Sequence, residues 1–437
     1  MKKRILRAAS MTLALSLLVG IWCSGNRFSA IKVSAAEETA PEETEEVSAE
    51  DESVGFADSV DIASQVHYVA KPRVVRQAQQ VSLRLTDQSR KGDFSVVLDD
   101  KDRSFAVAWS SVKLSFAADS PFTRLYIKVE RACEWTVTLP DGTEIECGKT
   151  GFIHEVTELG QAVTSFDMNL PKGVRLCDVY AFTDGQFPSW VQLWEPPCEK
   201  ADLLVMPTHA DDEYLWFGGT LPYYAGELGY QVQVVYLTNH YNNTQRCHEQ
   251  LNSLWTVGVR HYPVIGDFVD VLETRDDMSA AYRIFGGRDK VLAFQVEVLR
   301  RFSPKVIVAH AVDGEYGHCA HRINVATMRK ALTMTNDATA YPESAEKYGT
   351  CEVQKCYMHL WKKNKVTVSW GDMPLKRFDD ATALDMAKKG FECNISQLDY
   401  VLRVHDYGPY DCRQFGLVYT TVGNDTEGVN DFFENVV

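Results

Sequence analysis

Thr208-His209-Ala210-Asp211-Asp212-Glu213 gathers an imidazole and three carboxylates in six residues, directly after the apolar run Leu203-Leu204-Val205-Met206. An apolar run of that length reads as a buried parallel strand, and the loop leaving its carboxyl end is where open α/β sheets place ligands. His209 and Asp212 stand three residues apart. If a helix begins near Asp211, the two converge on one point while Asp211 projects beside them, which supplies two metal ligands and a base. A second loop repeats the arrangement: the apolar run Val306 to Ala309 ends at His310, and Asp313-Gly314-Glu315-Tyr316-Gly317-His318-Cys319-Ala320-His321 follows before a helical stretch. His318 and His321, again three apart at a helix start, can offer one metal ligand and one proton-handling imidazole. His240 and His310 also end candidate strands, and hydrogen-bonding or structural roles suit them better than ligation. Glu213 is expected to support the helix start, where negative charge is favoured.

These loops need a scaffold that brings two strand ends together. After Pro196-Pro197 the pattern alternates apolar strand and helix: strands at Leu203 to Met206, Val232 to Leu237, Tyr262 to Ile265 and Val306 to Ala309, helices at about 212–228, 244–257, 288–302 and 319–333. Such alternation implies a Rossmann-like parallel sheet with helices on both faces over 198–437. Gly218-Gly219 falls inside the first of these helices, where a close helix–sheet approach would explain it. No glycine-rich phosphate loop follows any of the strands, which argues against a nucleotide site.

From residue 56 to 197 the pattern is different. Short strands separated by turns are expected at Val81 to Leu85, Phe94 to Leu98, Leu125 to Val129 and Trp135 to Leu139, which together favour an antiparallel β-sandwich that could bind carbohydrate. Trp190 and Trp194 suit either a sugar-stacking surface or packing, and packing is the commoner use. Cys133 and Cys147 flank the turn signal Pro140-Asp141-Gly142, so a disulfide across that hairpin is expected.

The amino terminus reads as an export signal. Met1 to Arg7 carries four basic residues, Ala8 to Trp22 is mainly apolar, and Val33-Ser34-Ala35 ends in small residues, as in a bacterial secretory signal of about 35 residues. The apolar core is shorter than the roughly 20 residues a spanning helix needs, so a secreted or cell-surface protein with no stable membrane span after cleavage is expected. The formal charge is −15, and cleavage leaves 39 basic against 60 acidic side chains. Residues 36–55 hold nine of those acids and read as a solvated linker. So acidic a chain is a poor nucleic-acid binder, because that binding depends on Lys and Arg neutralising phosphates.

With both loops in view, residues 201 to about 425 resemble the PIG-L/LmbE-like family of zinc-dependent de-N-acetylases. The family's first motif, His-Pro-Asp-Asp-Glu, appears as His209-Ala210-Asp211-Asp212-Glu213, and its second, Tyr-Gly-His-Pro-Asp-His, as Tyr316-Gly317-His318-Cys319-Ala320-His321. Arg246-Cys247-His248-Glu249, Gly266-Asp267 and Ser396-Gln397 match looser family positions. The resemblance implies His209, Asp212 and His321 as Zn2+ ligands and Asp211 as general base. It also implies His318 and Tyr316 as the groups that meet the tetrahedral intermediate, and it makes Arg246 a candidate substrate-binding residue. The implied reaction removes acetyl from an N-acetylated sugar or glycan to give acetate and a free amine.

The sequence departs from the family at Ala210, Cys319 and Ala320, which replace Pro, Pro and Asp. Ala210 removes a rigid turn residue, and Ala320 removes a carboxylate that can orient a neighbouring histidine. Three alternatives are a non-catalytic glycan-binding adhesin, a hydrolase of another amide and a barrel-type polysaccharide deacetylase. The last usually spaces its histidine pair by four, not the three found between His318 and His321.

Overall fold

Val112–Val129 and His154–Leu170 alternate buried and accessible side chains over much of their length, the period-two pattern of a strand with one face in a core. In the computed structural model, which describes residues 76–89, 92–269 and 276–437, they are the long strands of an eight-stranded sheet. Its strands are β1 (Gln80–Val81), β2 (Leu83–Gln88), β3 (Ala106–Val107), β4 (Val112–Val129), β5 (Trp135–Thr138), β6 (Glu144–Cys147), β7 (His154–Leu170) and β8 (Arg175–Phe182). The order is β1-β8-β4-β7-β5-β6, with β2 on β4 and β3 on β8, and every pair is antiparallel. Phe116, Phe122, Leu125, Val137, Phe166 and Met168 share one core there. The export signal and acidic linker read from the sequence lie outside the described residues.

Two expectations for this region are corrected. Ser95–Leu98 is a single 3-10 turn and not a strand, because Asp93 accepts hydrogen bonds from both Ser95 N–H (3.0 Å) and Ser95 Oγ–H (2.5 Å) and so caps a turn. Cys133 and Cys147 are both free thiols. The β5–β6 register sets Trp135, not Cys133, opposite Cys147, which leaves Cys133 two residues beyond the ladder.

The second sheet has seven strands: β9 (Leu203–Met206), β10 (Val232–Thr238), β11 (Val264–Phe268), β12 (Val306–Ala309), β13 (Lys355–His359), β14 (Lys365–Thr367) and β15 (Gln414–Thr420). They lie in the order β11-β10-β9-β12-β13-β15-β14, parallel from β11 to β13 and antiparallel at β15 and β14. The helices are α1 (Asp212–Leu215), α2 (Thr244–Thr256), α3 (Met278–Ile284), α4 (Arg288–Phe302), α5 (Cys319–Ala331), α6 (Pro342–Tyr348) and α7 (Ala383–Glu392). Strand β9 pairs with β12, so the two ligand-rich loops leave neighbouring strand ends although about a hundred residues separate them. Among the described residues no helix is long and apolar enough to cross a membrane.

The long helix expected at 212–228 is broken. It stops after Leu215, and Pro222–Glu227 forms a separate wide turn. Gly218 has φ +53, and a Cβ at Gly218 or Gly219 would come within 2.7–2.9 Å of Trp370. The glycine pair therefore admits an indole where a sheet contact was expected. The strand expected at 262–265 begins instead at Val264.

Helix α2 joins the two sheets. Its Thr244 Oγ donates to Glu130 (2.7 Å), His248 Nδ1 lies 2.7 Å from His154 Nε2, Asn252 Nδ2 donates to Asp102 (2.7 Å), and Trp255 Nε1 donates to the Ser189 carbonyl (2.7 Å). His154 Nδ1 in turn contacts Gln192 Oε1 (2.7 Å) and the Tyr126 hydroxyl (2.9 Å), and His248 Nε2 faces the Cys177 thiol (3.4 Å). One proton on each imidazole completes this chain.

Burial pushes His248 down to about 4 and His154 well below the usual imidazole range. The unfolded rings titrate near about 6.5, above the folded values, so the stability gained by keeping them neutral is complete above about pH 6.5 and is lost as pH falls toward 4. Tm is expected to drop across that window, and less steeply for His248→Gln. The comparison separates the imidazole from Asp178, whose carboxyl burial lifts to about 6 and which titrates with the opposite sign. Equal slopes for the two proteins would contradict this account.

Candidate active site

The loop after β9 is held from both sides. The Thr208 N–H donates to His310 Nε2 (2.9 Å) and the Ala210 N–H to His240 Nε2 (3.1 Å), so the two strand-end histidines brace the backbone. Helix α1 starts at Asp212 with Asp211 at its N-cap, φ 113. A non-glycine residue in that region is strained by on the order of 1–3 kcal/mol, and such strain concentrates at functional sites. Asp212 Oδ1 accepts from Trp216 Nε1 (2.7 Å) and Oδ2 from the His209 N–H (2.7 Å). Asp211 receives its own orientation from neighbours: its N–H donates to Glu213 (3.0 Å), and Arg246 Nη2 lies 3.5 Å from its carboxylate while donating to the Ala210 carbonyl (2.8 Å).

The loop after β12 is organised by Glu315, which is fully buried. Its two oxygens accept from Nδ1 of His310 (2.7 Å), His321 (2.9 Å) and His359 (2.7 Å) and from the Ala311 N–H (3.0 Å). A carboxylate on Nδ1 leaves Nε2 of His321 as the nitrogen that can ligate. His318 is the N-cap of α5, its Nδ1 accepting from the Ala320 N–H (3.2 Å). Tyr316 sits at φ 44. A cleft of about 440 Å³ opens here, lined by His209, Asp211, Asp212, Arg246, Tyr316 and His318 with Leu215, Phe391, Gln397 and residues 400–402.

His209 Nδ1, Asp212 Oδ2 and His321 Nε2 converge: the three separations are 3.2, 3.2 and 3.4 Å. Zinc bonds of about 2.0–2.1 Å at tetrahedral angles set ligand atoms about 3.3 Å apart, so these residues fit that ion. Two imidazole nitrogens and a carboxylate oxygen so close are also a donor set that zinc favours. Overlapping groups, His209/His318/His321 and Asp212/His310/His321, could hold an ion too. Both His310 nitrogens are engaged, by Glu315 and by the Thr208 amide, which leaves none for a metal.

Electrostatics separate the adjacent aspartates. Burial pushes Asp211 up to about 7, with Arg246 opposing and Asp212 adding to the rise. Burial acts the same way on Asp212, yet the nearby His321 and His310 and hydrogen bonds with His209 and His310 outweigh it and hold Asp212 well below the usual carboxylate range. Asp212 thus stays anionic, as a ligand must. Glu213, lifted by burial to about 8, accepts from the Tyr236 hydroxyl (2.7 Å) and supports the loop.

Residues 203–332 match the family model described as PIG-L: GlcNAc-PI de-N-acetylase. This segment is a PIG-L-family domain. Solved structures similar to the chain include the N,N'-diacetylchitobiose deacetylase from Pyrococcus horikoshii, at 15% identity over 46% of this chain and 73% of that one, TM-score 0.35. A deacetylase of teicoplanin biosynthesis is similar at 15% identity over 45% and 84%, TM-score 0.28. The family 32 carbohydrate-binding module of Streptococcus pneumoniae EndoD is similar at 8% identity over 24% and 100%, TM-score 0.21. No curated protein matches the chain.

The departures of this PIG-L domain from its family motifs have local remedies. Ala210 has an N–H that proline lacks, and His240 takes it, while Arg246 holds the Ala210 carbonyl. Ala320 lacks a carboxylate, and Glu315 supplies one to His321. Cys319 is buried in an apolar cluster with Phe285 and Ile323, away from any ligand role. Sequence reading did not assign Glu315, His359 or Trp216. Glu315 stood in the second loop without a role, Trp216 stands one helical turn after Asp212, a spacing that could have found it, and only His359 joins the motifs solely through the fold.

Proposed function

We propose that the PIG-L domain is a zinc-dependent hydrolase that removes acetyl from an N-acetylated sugar or glycan of the N-acetylglucosamine type. The observation that carries this reading is the convergence of His209, Asp212 and His321 at zinc-like spacing with Asp211 beside them. In this reading those three hold the ion, which when bound supplies Lewis acidity and lowers the pKa of water to about 7. Asp211 takes a proton from the attacking water, held in place by Arg246 and by its N–H on Glu213. His318 and Tyr316, both lining the cleft, stabilise the developing oxyanion, and His318 passes a proton to the departing amine. Arg246 also faces the cleft, where it can bind sugar hydroxyls.

The assignment extends to the whole chain as an export signal over 1–35, a linker over 36–55, a β-sandwich over 56–197 that binds carbohydrate, and a Rossmann-like catalytic domain over 198–437. The protein then acts outside the cell or at its surface. Acetate release measured over N-acetylglucosamine, its oligomers and N-acetylated polymers is expected to show turnover that chelation abolishes and zinc restores. A fully zinc-loaded protein that releases acetate from none of them would sink the proposal.

A further inference from the structure

We propose that His154, in the β-rich region, is a positioning residue for the hydrolytic site of the PIG-L domain, acting through His248 and helix α2 on Arg246. Thr244, His248 and Asn252 recur every four residues and so lie along one face of α2. Each bonds to the β-rich region: to Glu130, to His154 and to Asp102. Arg246 lies between the first two in sequence and reaches the other way, to the Ala210 carbonyl at 2.8 Å and toward Asp211 at 3.5 Å. Glu249, next to His248, accepts from the Ser396 N–H (2.9 Å) and Oγ–H (2.5 Å), and Gln397 beside it lines the cleft. One helix is therefore fastened to the β-rich region along one side and touches both the proposed base and the cleft rim along others.

The fastening is specific as well as adhesive. His154 and His248 are both buried, and the chain from Gln192 through the two imidazoles to Cys177 assigns each ring nitrogen one partner class. A shifted helix would leave buried donors unpaired, so α2 has one favoured position. Arg246 inherits that position. A displacement of about 1 Å is enough to break its 2.8 Å contact, and misplacement of that size can cost about 10²-fold in rate. On this account the β-rich region is part of the catalytic apparatus, whatever carbohydrate it also binds.

The test uses the full chain loaded with zinc, and its turnover arm rests on the deacetylase reading above. His154→Leu is expected to keep full zinc content while kcat falls about 10- to 100-fold, and His154→Gln, which retains an acceptor for His248, recovers most of the loss. The double variant His154→Leu/Arg246→Lys is expected to lose no more than about twofold beyond Arg246→Lys alone, because both act on one contact. Multiplicative losses, or an unchanged kcat in His154→Leu, would overturn the proposal. Should His154→Leu fail to fold, Thr244→Val removes another bond on the same helix face and is held to the same non-additivity. Hydrogen exchange gives a readout independent of activity: the amides of Ala210 and Asp211 should exchange faster in the variant while those of β13 do not. A uniform rise through the sheet would mean general destabilisation and would also overturn it. If the wild type releases no acetate, the deacetylase reading falls, and the exchange result alone decides the coupling.

Discussion

Asp211→Asn is expected to retain its metal and lose turnover by about 10²- to 10⁴-fold, the usual contribution of a general base, whereas Asp212→Asn is expected to lose the metal itself. The two side chains are neighbours of identical chemistry, and the difference lies in what surrounds them. Asp212 Oδ2 stands 3.2 Å from His209 Nδ1 and 3.4 Å from His321 Nε2, while Trp216 occupies its other oxygen. Exchange of that oxygen for an amide replaces an anionic ligand with a neutral one. Asp211 instead projects from a strained N-cap position beside Arg246, outside the ligand triangle. Metal content and turnover measured on the same preparations decide the matter: loss of metal in Asp211→Asn with retention in Asp212→Asn would exchange the two roles.

Glu315→Gln is expected to weaken zinc binding about 10- to 100-fold and to destabilise the metal-free protein by about 3–5 kcal/mol. One carboxylate accepts from three imidazoles and a backbone amide in a fully buried position. Glutamine keeps one acceptor oxygen and turns an NH₂ toward an imidazole N–H, donor against donor. His321 then loses the partner that fixes its tautomer, and His310 loses part of its hold on the Thr208 backbone. A competitive chelator titration reads the first effect and a melt of the apo protein reads the second. Unchanged zinc affinity would mean that Glu315 orients nothing.

The sequence was most legible where one local rule dominated. Helix 288–302 and the strands at Leu203 and Val306 were expected at the residues where they occur, since their apolar period meets no competing signal. It was least legible where a side chain rewrote the backbone. Asp93 turned an apolar run into a 3-10 turn, and beyond the helix that stops at Leu215 the Gly218-Gly219 pair makes room for the indole of Trp370, some 150 residues away. The first of these lay in plain view as an Asp-x-Ser spacing. The second depended on a contact that no window of sequence contains.

By itself the sequence determined which residue types stand three apart after apolar strands, and with them His209 and Asp212 as candidate ligands beside Asp211 and one further ligand from the His318/His321 pair; the family resemblance implied that this one is His321. Spacing within a loop is a local property, and two ligand-rich loops after two strands suffice to nominate a metal site. Only the tertiary structure decided that β9 and β12 are neighbours, that Glu315 gathers three histidines from three places in the chain, and that α2 ties the PIG-L domain to the β-rich region through His154. Each of these is a pairing between residues distant in sequence. Hydrogen bonds of that kind are specified by strand order and helix placement, and those are settled only when the whole core packs.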